Sequence, residues 1–553
     1  MPTKIDKVIV TNFSALATKY SKDGLSKIEQ AVSALIEGDK KRGLNSLYIA
    51  VDDATAMKKL GAAPVLSAAN RKQNKVAIDE IYRALGPDYI LLLGSVDVIP
   101  HQDMQNPMFS PDFAGDPDRY AFGDLPYACS QPYSRRPQEF IGPTRVVGRI
   151  PDLTGSNDPA YLLKLLKTAT SYKQSTPDTY HAYFGITAEV WKSSTRQSLE
   201  RIFGNADGMH VVPPKKDTWA KPLLARKALF VNCHGNANTP YFSGQSVRDK
   251  NHYPDALRAS FVDGKITAGT VVAVECCYGG QLYDPKFAAG QPGVCNVYLG
   301  NQAYGFFACT TIAYGPSSGN GQADLICQYF LRNVLAGASL GRASLEARQK
   351  FARESSMGNP VNLKTLAQFN LYGDPSCVPV QTVDPKGPPP PRTPAKGVTW
   401  SMVDRVERAT RRRSLFLEGS AISATRPTSR ETKQPLSRSI KTLLQNKARE
   451  FGVIAEATKS FVVRFPRRIK GMPKTLIGEK LVPSGYHVLL GRDKIVAKAR
   501  RPKAKKDGKP TEPPAFTRIV ALVAKEVDGK VVSVTRVYSK SKHSAPGAKK
   551  ALS

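Results

Sequence analysis

Two short segments hold the side chains best suited to covalent chemistry. One is Asn232-Cys233-His234-Gly235-Asn236, which follows the apolar run Ala228–Val231. The other is Glu275-Cys276-Cys277-Tyr278-Gly279-Gly280, which follows Thr270–Val274. A thiol and an imidazole brought together can form and hydrolyse an acyl-thioester: the sulfur attacks a carbonyl and the ring carries the proton. The glycines suit this. Gly235 lets a substrate carbonyl approach the backbone, and the turn after Cys277 can aim N–H groups at a developing oxyanion. Each residue alone has a plainer reading, since a strand-end histidine is usually a hydrogen-bonding group and an apolar-run cysteine is usually core. At two strand ends in this order, the pair favours catalysis. Cys233, His234, Cys276 and Cys277 read alternatively as a zinc cluster, but the CxxC pairs and His spacing of structural zinc sites are missing. No metal and no cofactor is expected.

Residues of this kind act only if a scaffold brings them to one edge. The runs Leu47–Val51, Tyr89–Leu93, Arg145–Val147, Ala182–Ile186, Ala228–Val231, Thr270–Val274 and Gly305–Cys309 read as strands apolar on both faces, as in a parallel sheet covered by helices. Helical periodicity fills the gaps at Leu25–Ile36, Lys75–Leu85, Ala160–Tyr172 and Ser194–Phe203. The alternation predicts an α/β fold, a mostly parallel sheet sandwiched by helices, with ligands bound outside the carboxyl ends of the strands.

The 553 residues, 41% of them hydrophobic, leave room for several domains and exclude a collagenous or wholly disordered chain. Charge is unevenly spread. The formal net charge is +34, and from Pro391 onward there are 38 Lys and Arg against 12 Asp and Glu. The break coincides with Asp384–Gly397 (DPKGPPPPRTPAKG), a run that favours extended polyproline conformation. The division expected is an N-terminal α/β subdomain (1–175), a catalytic α/β subdomain (176–383), a Pro-rich linker (384–397) and a basic module (398–553). That module reads as helical over Ile440–Phe451, then β-rich, with a hairpin turn at Val527–Lys530, a basic loop at Arg500–Lys509 and a disordered tail from Ser539. Its surplus of cations suits nucleic acid, an acidic protein partner or plain solubility, and no RRM, OB or zinc-finger signature decides among them. The opening MPTKIDKVIVTNFSAL lacks an apolar signal core, and no window of about 18 apolar residues exists, so a cytoplasmic protein without membrane contact is expected. The eight cysteines then read as free thiols rather than a disulfide framework.

With these features in place, the chain resembles a known group. Strand–His-Gly followed by strand–Cys-Cys-x-Gly-Gly is similar to the signature of the caspase-like clan of cysteine peptidases. Three further stretches resemble the gingipain family within it: Tyr89–Pro100 (YILLLGSVDVIP), Arg145–Ile150 (RVVGRI) with the helix ending near Tyr172, and Phe369–Ser376 (FNLYGDPS). The resemblance spans roughly residues 85–380 in consistent order. It implies a cysteine endopeptidase with His234 as the proton carrier and Cys277 as the nucleophile. Cys276 takes the small-residue position beside it and stands as the alternative nucleophile. The backbone N–H groups of Gly235 and Cys277 would form the oxyanion hole. Glu189, just after the preceding strand, would orient the histidine, or else be a solvated helix-start acid. A Cys277 thiolate beside a His234 imidazolium is the expected charge state.

The family's preference for Arg or Lys rests on an acid near the start of the following helix, where this chain has Trp191-Lys192-Ser193-Ser194. Asp116, Asp118 and Asp124 are the acids left to line such a pocket, or they are turn formers. Basic substrates remain the expectation. Two other readings stay open: an inactive scaffold that keeps the fold, and a nucleic-acid-binding protein whose α/β body is structural.

Overall fold

The computed structural model describes residues 4–110, 116–215, 218–381, 430–431, 441–446, 454–463, 484–496, 515–527 and 530–538. Its centre is a ten-stranded sheet made of β1 (Lys7–Thr11), β2 (Ser46–Ala50), β3 (Tyr89–Leu93), β4 (Val147–Ile150), β5 (Tyr183–Ala188), β6 (Met209–Val212), β7 (Ala228–Asn232), β8 (Val271–Val274), β9 (Gly305–Cys309) and β10 (Phe369–Tyr372). The spatial order is β2-β1-β3-β4-β10-β9-β8-β7-β5-β6. Most neighbours run parallel; β10 runs antiparallel to β9 and meets β4 through one bridge, Tyr372 to Arg149. This is the mostly parallel, helix-covered α/β architecture that the alternating pattern predicts.

The strands are apolar because both faces are covered. β1, β7, β8, β9 and β10 are buried at every position, and burying each Leu, Ile, Val or Phe contributes about 1.5–3 kcal/mol. The covering helices start and stop where local chemistry dictates. Ser21 caps the helix Lys22–Lys41 by accepting the Gly24 N–H, and Asn70 caps Arg71–Leu85 by accepting that of Gln73. The latter ends at Gly86, whose φ of 55° is a left-handed conformation that a side chain would resist.

Sequence pattern placed seven of the ten strands. β1 was hidden in polar surroundings: Lys7 begins it, yet this lysine is fully buried because Asp39 and Asp374 pair with it. β6 and β10 are only four residues long and carry His210 and Asn370 among their apolar residues. The sheet runs through residues 7–372, so the two halves expected at 1–175 and 176–383 share it.

The chain divides into two compact units, residues 1–407 and 408–553. In the second, five antiparallel strands follow one another in order: Arg430–Glu431, Ile454–Val463, Ser484–Val496, Ala515–Val527 and Lys530–Tyr538. Residues 441–446 are helical. The runs His487–Leu490 and Lys494–Val496 belong to one long strand, because Gly491, Arg492 and Asp493 stay paired with Val520, Ile519 and Arg518. The expected linker, basic loop and tail lie outside the described residues. Among the described residues no helix is long and apolar enough to cross a membrane.

Candidate active site

β7 and β8 are adjacent and parallel, with Val231 opposite Val274. Their chains therefore leave the sheet together, and the register carries Cys233 to the level of Cys276. The Glu275 N–H still bonds the Val231 carbonyl, at 2.8 Å, so the pairing persists past the strand end. The two turns then touch. A Cβ added to Gly235 would lie 2.0 Å from the Cys277 carbonyl oxygen and 3.4 Å from Cys276 Cβ. No residue but glycine fits there.

The vicinal cysteines differ sharply in surroundings. Cys276 is fully buried and packs on Cys233, and burial pushes its thiol well up. Cys277 keeps partial exposure. Its sulfur accepts the Ala313 N–H at 3.3 Å and lies 3.7 Å from the Ala313 carbonyl. Burial raises the Cys277 thiol above its ordinary value, with the Ala313 N–H and the Lys364 charge opposing.

The loop after Cys277 is held under backbone strain. Tyr278 has φ 55°, a region costing an L-residue about 1–2 kcal/mol. It stays there because its N–H bonds the Thr311 carbonyl, at 3.1 Å, and its hydroxyl bonds Asp118, at 2.8 Å. Gly279 and Gly280 close the turn through the carbonyls of Cys276 and Cys309.

His234 pairs through a two-residue strand with Phe242–Ser243. Its ring lies 4.4 Å from that of Trp191 and 5.1 Å from that of Tyr253, and its Nε2 meets Gln245 Oε1 at 2.9 Å. The Gln245 amide nitrogen donates to the Lys250 carbonyl, at 2.9 Å, and to the Tyr253 hydroxyl, at 2.8 Å. Both of its N–H bonds are thus engaged, so Oε1 must accept and Nε2 must carry the proton. Nδ1 is left with the lone pair. Burial lowers the His234 pKa below the ordinary histidine value, while the Gln245 bond opposes this only in part. Burial thus favours the uncharged form of each group, imidazole and thiol. This direction runs against the thiolate–imidazolium pair expected from the sequence, and among the described residues no carboxylate bonds the ring.

Glu189 is close by but occupied elsewhere. It opens the short turn Glu189–Trp191 after β5, and its Oε2 accepts the Val247 N–H, at 3.0 Å, and the Ser246 hydroxyl, at 3.2 Å. It braces the loop that carries Gln245. The ring's own partner is the amide, not the acid.

The expected pocket acids are also bound in place. Asp116 pairs with buried Lys364 and accepts the Tyr314 hydroxyl, at 2.9 Å. Asp118 accepts from Tyr278, from the Ile312 N–H at 2.8 Å, and from Lys364 at 3.4 Å. Together they tie the loop after Cys277 to the loop bearing Ala313. Asp124 is buried in an ion pair with Arg149. None of the three is a free negative charge. Glu275 and Asp324, by contrast, are buried side by side without a cation among the described residues. Burial and mutual repulsion raise Glu275 well above the carboxylate range, and burial pushes Asp324 up to about 6.

Gln245 and Lys364 are the residues that sequence reasoning missed. Gln245 sits in a polar loop with nothing to mark it. Lys364 did carry a signal, as a lone cation in Pro360–Gln368, a helix buried from Asn362 onward. Among the described residues no three His, Cys, Asp or Glu side chains are grouped to hold a metal ion, and all eight cysteines are free.

No protein-family model matches the chain, and no curated protein matches it. Among solved structures it is similar to the complex of the pro- and mature domains of RgpB from Porphyromonas gingivalis. The identity is 10% and the TM-score 0.46, over 96% of this chain and 99% of that one. It is also similar to a structure described as that of a protease, at 11% identity and TM-score 0.42, over 98% of each chain.

Proposed function

We propose that the chain is a cysteine endopeptidase of the gingipain-like type. The observation that carries this reading is the contact of Gly235 with the Cys277 carbonyl, which sets the partly exposed thiol and the histidine turn at one rim of one sheet. As a peptide carbonyl enters, the Cys277 proton passes to His234 Nδ1 and the sulfur attacks the carbonyl carbon. The backbone N–H groups of Gly235 and Cys277 stabilise the oxyanion. The imidazolium returns its proton to the departing amine, leaving a thioester. Water, deprotonated by the same nitrogen, then hydrolyses the thioester and restores the thiol. Gln245 holds the ring in the tautomer this needs.

For the basic C-terminal unit we infer recruitment of an anionic partner, nucleic acid or an acidic protein, from the 38 cations against 12 anions that the chain carries from Pro391 onward. With such targeting, a cytoplasmic peptidase would act on a restricted set of proteins.

The test is hydrolysis of mixed peptides by wild type, Cys277→Ala, Cys276→Ala and His234→Ala, with an acyl-type electrophile located by mass spectrometry. Label on Cys277, with activity lost in Cys277→Ala and His234→Ala, is the expected result. Wild type without hydrolysis or label would leave an inactive scaffold.

A further inference from the structure

Beside the nucleophile loop lies a cavity of about 410 Å³ that the mechanism above does not use. Tyr278 and Asn238 line it from the two catalytic turns, and Val96, His101 and Arg71 line it from the first half of the chain. Much of the remaining wall is apolar, and Phe287 stays 64% exposed. A cavity of this size and lining, touching the residue after the nucleophile, suits a substrate side chain.

The charges on its wall decide which kind. Asp118 has both oxygens engaged, by Tyr278 on one side and by Ile312 and Lys364 on the other. Asp284 is paired with Lys286 at 2.7 Å. Arg71 differs. Its Nε donates to the His101 carbonyl at 2.9 Å and stands 3.8 Å from Asp103 Oδ1, while Arg135 pairs with the other Asp103 oxygen, so its ion pair is made on the Nε side only. The two terminal nitrogens of Arg71 make no hydrogen bond among the described residues. Buried His101 keeps its Nε2 against Asp124, at 3.8 Å, so that of its ring nitrogens this one is not offered to the cavity. The wall therefore offers the two terminal nitrogens of one guanidinium, beside the Phe122 ring at 5.9 Å, as a fork for a charge-assisted bond to a carboxylate.

We propose that this cavity is a substrate subsite that takes an acidic side chain, held by Arg71, from a residue flanking the scissile bond. It rests on the peptidase reading for its use, but not for its detection. Two measurements on the full chain separate them. In a positional peptide library, wild type is expected to favour Glu or Asp about tenfold at one position. Arg71→Gln should erase the preference, Arg71→Glu should turn it toward Lys, and the surface control Arg136→Gln should keep it. In the second arm, fluorescent peptides carrying Glu or Gln at that position, or pools scanned through every position, are titrated onto Cys277→Ala. The Glu form should bind about tenfold tighter than the Gln form, and the two forms should bind alike in Cys277→Ala/Arg71→Gln. Failure of hydrolysis with this binding difference intact overturns the peptidase and keeps the subsite. No acidic preference in binding at any position, or one that survives Arg71→Gln, overturns the subsite.

Discussion

Gly235 lies against the carbonyl oxygen of Cys277 so closely that a methyl group on it would come within 2.0 Å. The histidine turn and the cysteine turn therefore share one van der Waals surface, and neither can shift alone. Gly235→Ala should force them apart and lower kcat/KM by about 100-fold or more, the scale of a misplacement near 1 Å. Steady-state kinetics beside a thermal melt would check this; near-normal activity in a folded variant would show that the contact is dispensable.

The amide on His234 makes a separate prediction. Gln245→Ala should reduce kcat about 10–100-fold while KM changes little, because the ring is lost from its tautomer rather than the substrate from its site. Gln245→Glu should place a carboxylate on Nε2 and raise the His234 pKa by about a unit or more. The acid limb of the kcat/KM profile would then move upward, since the basic form of the ring disappears at a higher pH. Glu189→Gln should leave that limb in place. A shift in the Glu189 variant alone would restore the acid as the orienting residue.

Cys277 should alkylate slowly at neutral pH. Burial holds its thiol above the ordinary cysteine value, so the thiolate fraction, and with it the iodoacetamide rate, should keep climbing into the alkaline range. A rate that is flat from about pH 5 to 8 would reveal a resting ion pair instead. Mass spectrometry of the alkylated Cys276→Ala variant keeps the measurement on the right sulfur.

The Glu275–Asp324 pair predicts a gain in stability. Asp324 is raised from 3.8 to about 6, so between those values the native state holds a proton that the unfolded chain releases. Stability on this account falls as pH rises through that window, by up to about 3 kcal/mol by pH 8. Asp324→Asn removes the titration, and its amide can donate the bond that the shared proton supplied. The variant should be more stable than wild type by about 1–3 kcal/mol at pH 8, with the gain vanishing near pH 4. Denaturant melts at the two pH values would decide; a loss at pH 8 would mean that the pair is stabilising while ionised.

Much of the scaffold was legible because parallel strands covered on both faces are written as uninterrupted apolar runs, as in Tyr89–Leu93 and Gly305–Cys309. The turns at His234 and Cys277 were legible too, since glycines and reactive side chains directly follow such runs. What could not be read was which neighbour each side chain chooses. Glu189 and Gln245 reach one loop region from different elements, and only three-dimensional geometry gives the ring to the amide. Asp116 and Asp118 look like a negative pocket until Lys364, some 246–248 residues away in sequence, is seen between them.

That lysine also imposes an order on the birth of the site. Lys364 comes from the helix Pro360–Gln368, directly ahead of the last strand of the sheet. A nascent chain that stops short of Lys364 lacks the cation that pairs with Asp116 and Asp118, and has only the bonds of Tyr278, Ile312 and Tyr314 to these acids to hold the Tyr278 and Ala313 loops. On the proposed peptidase reading, the Cys277 loop gains its last brace only once residue 364 has left the ribosome, and fragments truncated before it should be inert.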